Sequence, residues 1–543
     1  MSRKIHLSLL VFAASVTSST AQVNNRTDVY VRPGTSVHVL GALNNSTAGS
    51  SFTLDEEAVL YVGGDLNNNG TMNIENDASL LRGDATADAG SGTYNVKQLG
   101  GAAIGYNYWG TPVVSSGSTP GVSYQFNSAN STQDPNDDNN PSIDPGWSSF
   151  NGNMVAGKGY AGSSAGAVTF SDNAVNNGTK TPSMFIDNYE NSPVPGVTGT
   201  PFNLMGNPYP SGLDCSQLVT DNVGVHGSLY FWVDDATGGS GYSAADYAIW
   251  NFFGTVPNTN SANGSPVPNG IIKTGQGFMI RNGNVGTGVS SLQFNNGQRV
   301  ANTSSNAFFR PNADESKLWL SVNGDGAEFF SQILIGATED ATVNEDLLYD
   351  AVRIPTNTGA SLSAVNNQSK YGILAFPPPA LEEVVPLSVF VGESGEFTFK
   401  ADEMIGFQDM YVYLSDTDPS VGSFTQLEEG TEVNVNLASG TYESRFYLNF
   451  MPNNLTVGID ENRANSMRAW AFGDRLNIER AGEFGDKSTL QLFDMSGKLV
   501  LDNATQIFTD NQSSVSLSGL ATGIYVVKVI DDKSVFSQRF IKR

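Results

Sequence analysis

Apolar and polar residues alternate in short runs along most of this chain, and clusters of turn-forming residues separate the runs. Lys317-Leu318-Trp319-Leu320-Ser321-Val322, Gln332-Ile333-Leu334-Ile335-Gly336, Met410-Tyr411-Val412-Tyr413-Leu414 and Ser444-Arg445-Phe446-Tyr447-Leu448-Asn449-Phe450 keep a period of two. That period places successive side chains on opposite faces of a strand. Long Ala/Leu/Glu/Lys stretches of helical character are absent. The pattern predicts an all-β chain, with a half-buried antiparallel β-sandwich over residues 305–455. Pro377-Pro378-Pro379 fits only a loop or a sheet edge.

Residues 22–98 carry short internal repeats. Val37-His38-Val39-Leu40-Gly41-Ala42-Leu43-Asn44-Asn45 aligns with Leu60-Tyr61-Val62-Gly63-Gly64-Asp65-Leu66-Asn67-Asn68, and Leu54-Asp55-Glu56-Glu57-Ala58-Val59-Leu60 with Ile74-Glu75-Asn76-Asp77-Ala78-Ser79-Leu80. Alternation returning about every 20 to 23 residues predicts the rungs of a short β-solenoid, each burying its apolar side by stacking on the next. A plain β-meander is the other arrangement that fits.

Residues 99–304 read as a diverged duplication. Tyr108-Trp109-Gly110-Thr111-Pro112-Val113 matches Leu204-Met205-Gly206-Asn207-Pro208-Tyr209, and Val155-Ala156-Gly157-Lys158-Gly159-Tyr160 matches Lys273-Thr274-Gly275-Gln276-Gly277-Phe278. Val168-Thr169-Phe170 then matches Leu292-Gln293-Phe294 in the same order. The offset widens along the chain, as insertions in the second copy's loops would make it do. Two related β-units packed as one module are expected.

Length and composition narrow the class. A chain of 543 residues exceeds what one core sustains, so several domains are expected. The 58 glycines and only 15% charged residues suit short strands and tight turns. A formal net charge of −26 excludes nucleic acid as a partner and argues against electrostatic binding to an anionic membrane. Arg3 and Lys4, an apolar run from Ile5 to about Val16, and Ser19-Thr20-Ala21 form a signal-peptide pattern over residues 1–21. No apolar run reaches transmembrane length. Cys215 is the only cysteine, so packing rather than disulfides must stabilise the exported chain.

A polar stretch over residues 456–468 reads as a linker to the last module, residues 469–543. There Leu490-Gln491-Leu492-Phe493-Asp494-Met495-Ser496-Gly497-Lys498-Leu499-Val500 predicts strand, turn and strand. Val515-Ser516-Leu517-Ser518-Gly519-Leu520-Ala521-Thr522-Gly523-Ile524-Tyr525-Val526-Val527-Lys528-Val529 adds a second glycine turn and a β-branched strand, and Ser537-Gln538-Arg539-Phe540-Ile541-Lys542-Arg543 ends the chain on a basic strand. This turn with Asp494 and Gly497, the strand with Gly519, Gly523, Tyr525 and Lys528, and the closing strand with Lys542 resemble the type A C-terminal sorting domain of type IX secretion cargo. An ordinary terminal Ig-like sandwich is the alternative. The resemblance implies a Bacteroidetes protein that meets the secretion translocon and a sortase-like peptidase. It also implies an anionic lipopolysaccharide anchor in place of the removed domain, or release from the cell. Residues 100–450 resemble flavobacterial surface proteins of no defined activity.

Candidate chemistry elsewhere is sparse. His38 and His226 are the histidines left after the leader, and neither sits in a nucleophile-elbow or zinc-binding motif. No catalytic residue is expected, although two carboxylates suffice for a glycosidase. Asp134, Asn136, Asp138, Asn140 and Asp144 place oxygen ligands at alternating positions, the donor type hard Ca²⁺ requires, with no other cofactor expected. A solvated acidic loop is the alternative, because the EF-hand glycine and terminal glutamate are replaced by Asn139 and Pro145. Trp109, Trp147, Trp232 and Trp250, with Tyr230 and Tyr242, offer flat rings for sugar stacking or for core packing. These readings lead to an exported surface adhesin or structural exoprotein with an unidentified glycan or protein ligand. A secreted carbohydrate-binding or polysaccharide-degrading protein is the alternative.

Overall fold

The computed structural model describes residues 22–542 except 84–87, 101–105, 115–120, 132–145, 164–165, 187–201, 233–246, 259–266, 284–287, 305–314, 326–328, 355–358, 379–383, 409, 419–422, 453–465, 473, 482–486, 495–497, 508–511, 522 and 531–534. Among these the one α-helix is Cys215–Thr220, and a 3-10 turn spans Asn296–Gln298. The leader pattern and the candidate calcium loop lie outside the described residues.

The N-terminal repeats form a β-solenoid. Val23–Asn25, Leu43–Asn45 and Leu66–Asn68 stack in parallel on one side, and Ser36–Val39, Val59–Val62 and Ser79–Arg82 on another. Asp28–Val31, Ser51–Leu54, Thr71–Ile74 and Thr93–Leu99 make the third, with Ala167–Asp172 added antiparallel. Leu43, Leu54, Leu60, Leu66, Ile74 and Leu80 fill the interior. Each rung turns a corner through a positive φ, at Gly34 (66°), Glu57 (61°) and Asp77 (57°). Two non-glycine residues accept this costly conformation at equivalent corners, which shows how strongly rung stacking dictates the turn.

The Leu-Asn-Asn repeat has a second consequence. The Asn25 side-chain amide donates to Asn45 Oδ1 (2.9 Å), and Asn45 donates to Asn68 Oδ1 (2.8 Å) and to the Thr71 carbonyl (3.2 Å). Ser50 Oγ also donates to Asn45 Oδ1 (2.6 Å). Asn45 thus satisfies three buried side chains and one part-buried carbonyl, and Asn45→Ala is expected to cost about 3 kcal/mol. Asn44→Ala, which removes an exposed bond to Asn24, is expected to stay within about 0.5 kcal/mol. Urea unfolding of the two variants checks the contrast.

The duplicated module repeats its strand pairing residue for residue. In the first copy Trp109 pairs Tyr160 and Tyr108 pairs Ala161; in the second Met205 pairs Phe278 and Leu204 pairs Met279. The hairpins repeat too, with Phe126 opposite Trp147 in one and Trp232 opposite Tyr247 in the other. Each copy also hands its G-x-G segment to its twin. Gly110 N–H donates to the Gly275 carbonyl (2.8 Å), and Gly206 N–H donates to the Gly157 carbonyl (3.1 Å). Bridges Trp109–Gln276 and Lys158–Met205 form the matching pair. The halves therefore cross at Gly110 and Gly206, which lie backbone to backbone.

Arg299 fastens this module to the last solenoid rung. Its guanidinium donates to the Leu80 carbonyl, to Ser211 Oγ (3.1 Å) and to Asn177 Oδ1 (3.0 Å), and it lies over the Tyr209 ring. Residues Ser316–Pro452 then supply an 11-stranded sheet curled around Leu320, Ile333, Leu362, Leu387, Phe399 and Phe446.

Residues 454–543 form a separate compact unit. Ser466–Phe472, Arg475–Ala481 and Gln512–Ser516 make one sheet. Leu499–Ile507, Lys487–Asp494, Gly523–Ile530 and Val535–Lys542 make the other. Leu476, Ile478, Leu490, Leu492, Val527 and Val529 fill the space between them.

Candidate functional site

The two duplicated hairpins bring their aromatic mouths together. Phe126 and Trp147 face each other across the first hairpin with ring centroids 5.0 Å apart; Trp232 and Tyr247 do so across the second at 5.1 Å. Tyr108 lies between them, 5.9 Å from Trp147 and stacked 5.6 Å from Trp232. Its hydroxyl and that of Tyr247 share a hydrogen bond of 2.7 Å. Alternation puts Tyr124 on the same sheet face as Phe126, where it meets Tyr106 edge-on. Trp147 and Trp232 are half-buried in this cluster.

Trp109 and Trp250 are elsewhere. Trp109, 4% exposed, packs beneath the solenoid and donates its indole N–H to the Gly162 carbonyl. Trp250, 1% exposed, sits in the core of the second copy. Of the other sequence-derived aromatics, Tyr230 is buried and Tyr242 lies outside the described residues. Tyr108, Tyr124, Phe126 and Tyr247 belong to the cluster without having been singled out from the sequence. Aligning the two hairpins would have found them, because their positions are set by the repeat.

A second group of polar residues joins the module to the large sheet. Gly227 N–H donates to the Leu347 carbonyl, Ser228 Oγ to the Asp350 carbonyl and the Tyr230 hydroxyl to the Val352 carbonyl. Arg281 pairs with Glu345. His226 lies beside them, and burial, helped by the Arg281 charge, pushes its pKa down to about 3, so it is neutral in the folded protein. Asp350 is 2% exposed and accepts the Ala375 and Asp346 amides, yet burial outweighs both and raises its pKa to about 7.

The folded carboxyl therefore binds its proton more tightly than the unfolded one. Its stabilising contribution is full below about pH 4 and fades as pH rises through about 7. In Asp350→Asn this dependence is expected to disappear, a difference on the order of a few kcal/mol across the window. Paired melting curves from pH 4 to 8 measure it. Among the described residues, no group of three His, Cys, Asp or Glu side chains comes together as a metal centre.

In the C-terminal unit, Asp494 closes its turn by accepting the Lys498 amide (3.0 Å), and Gly519 takes a φ of 90°. Gly523, Tyr525 and Lys528 share the strand Gly523–Ile530. The Tyr525 ring stacks on Phe540, and its hydroxyl donates to the Ala521 carbonyl (2.7 Å). Lys542 is buried, donating to the Leu517 and Leu520 carbonyls, both 2.8 Å, and pairing with Asp474. Gly497 lies outside the described residues.

The family model for a domain of unknown function (DUF8693) matches residues 18–450. The chain belongs to this family. A second model, the secretion system C-terminal sorting domain, matches residues 472–543. This DUF8693 protein is thus type IX secretion cargo, exported to the cell surface or the extracellular space. No helix among the described residues is long and apolar enough to cross a membrane. No curated protein matches it. Among solved structures, a biofilm associated protein BSP domain aligns at 12% identity and TM-score 0.13, covering 30% of this chain and 27% of that one. A Ruminococcus gnavus β-glucuronidase aligns at 12% and 0.11, covering 28% and 35%. The adhesin domain of Epf from Streptococcus pyogenes aligns at 12% and 0.12, covering 42% and 91%. The chain spans about a third or less of the first two structures.

Proposed function

We propose that this protein is a non-enzymatic adhesin or structural exoprotein, holding a binding face outside the cell. The observation that carries the reading is the sorting domain at residues 472–543, which follows a strand-dominated unit built of mutually fastened modules. In this reading the sorting domain engages the type IX translocon, a sortase-like peptidase removes it, and an anionic lipopolysaccharide replaces it. Buried cross-links such as the asparagine ladder and Arg299 suit a chain that works outside the cell without disulfides. A deletion strain is expected to lose attachment to surfaces or neighbouring cells while growing normally on polysaccharides. Normal attachment combined with a growth defect on a polysaccharide would overturn the reading in favour of a degradative role. The half-buried rings at the hairpin mouths favour a second, narrower reading, in which the bound partner is a carbohydrate.

A further inference from the structure

The duplication supplies an internal comparison for the ring cluster. Tyr124, Phe126 and Trp147 of the first hairpin are the register equivalents of Tyr230, Trp232 and Tyr247 of the second. In the second hairpin, Tyr230 is 1% exposed and its hydroxyl is bonded to Val352 of the large sheet, while Tyr247 is 9% exposed. Leu334, Ala351 and Ile373 from that sheet belong to the core containing them. In the first hairpin, Tyr124, Phe126 and Trp147 remain half-buried. Trp232, the third ring of the second strip, is half-buried too, so the sandwich seals two of the three rings in that copy and none of the three in the other.

We propose that the strip Tyr124–Phe126–Trp147 is a stacking platform for a neutral sugar chain, an inference that rests on the surface-binding reading above. Ring-on-ring packing fixes Trp147 against Phe126 and Tyr108, so little side-chain freedom is lost on binding. Indole and phenyl faces match the C–H face of a pyranose, and Tyr124 adds a hydroxyl for its polar edge. The strands Ser123–Phe126 and Trp147–Phe150 contain no charged residue. A chain of net charge −26 repels acidic glycans and acidic peptides. Three half-buried rings expose far less than the ~800 Å² per partner that a stable protein interface needs.

The test is affinity electrophoresis of the full chain in native gels containing laminarin, xylan, galactomannan or starch. At least one is expected to retard the protein, with Trp147→Ala weakening binding by about tenfold or more and Tyr124→Phe weakening it less. Tyr30→Ala, at an exposed ring on the solenoid, is expected to bind as wild type. Unfolding of Trp147→Ala would leave Tyr124→Phe, which deletes one hydroxyl, and Trp147→Tyr as the deciding variants. No retardation by any of the four glycans, or full binding by a folded Trp147 variant, overturns the proposal. Glycan binding by the wild-type chain with normal attachment of the deletion strain would sink the adhesin reading alone; attachment lost on deletion without any glycan binding would sink the sugar platform alone.

Discussion

A chain ending at Asn453 is expected to fold and yet fail to reach the cell surface. Residues 1–453 form one compact unit and 454–543 another, each with its own core, so removing the second leaves the first unit's packing intact. Thermal unfolding of the first unit should be unchanged, while cell fractionation should find the truncated protein behind the outer membrane. Lys542→Ala is the point version of this experiment. It strips the donor from one buried and one part-buried carbonyl and leaves Asp474 without its cation, costing the domain about 2 kcal/mol. Surface display is expected to fall in proportion to the domain's instability. A truncated chain that appears at the surface at the wild-type level would show that export does not depend on the matched sorting domain.

Gly206→Ala should be strongly destabilising, because the added methyl meets backbone of the other half of the module. A Cβ at Gly206 falls 2.6 Å from Gly110 Cα, and one at Gly110 falls 2.7 Å from the Gly206 carbonyl carbon. Backbone faces backbone, so no side chain can swing aside, and relief requires the two halves to part. Each substitution is expected to cost about 3 kcal/mol, near the top of what overpacking commonly costs. Gly49→Ala, where a Cβ meets nothing within 4 Å, is the control. The double variant should cost less than the sum of the singles, because parting the halves once accommodates both methyls. Denaturant unfolding of the three variants measures this coupling.

Much of the architecture was legible because repetition makes neighbouring environments alike. Val37 to Asn45 and Leu60 to Asn68 look similar because each occupies the same place in a rung, and Glu57 and Asp77 turn the same corner. The duplicated copies were legible for the same reason. Their crossing was not, since nothing local tells Gly110 that its partner carbonyl is Gly275 of the other copy. Nor could alternation separate Trp109 from Trp147. Both occupy strands, and only the layer packed above each decides which one is sealed in. Asp350 and His226 carried no motif at all. Their environment arises where a loop from one sheet meets a strand of another, more than a hundred residues apart in sequence.

The exchange of G-x-G segments also sets an order of events for a newly made chain. Gly157 packs against Phe294, and Gly275 lies beside Phe170, so neither half can complete its interior before the other's final strand has arrived. Pairings this distant in sequence pay their loop-closure entropy early and are repaid late, which makes such topologies slow to fold. Assembly of the middle of the protein therefore waits until residues near 300 have emerged, and the solenoid's last rung, held by Arg299, is secured only then.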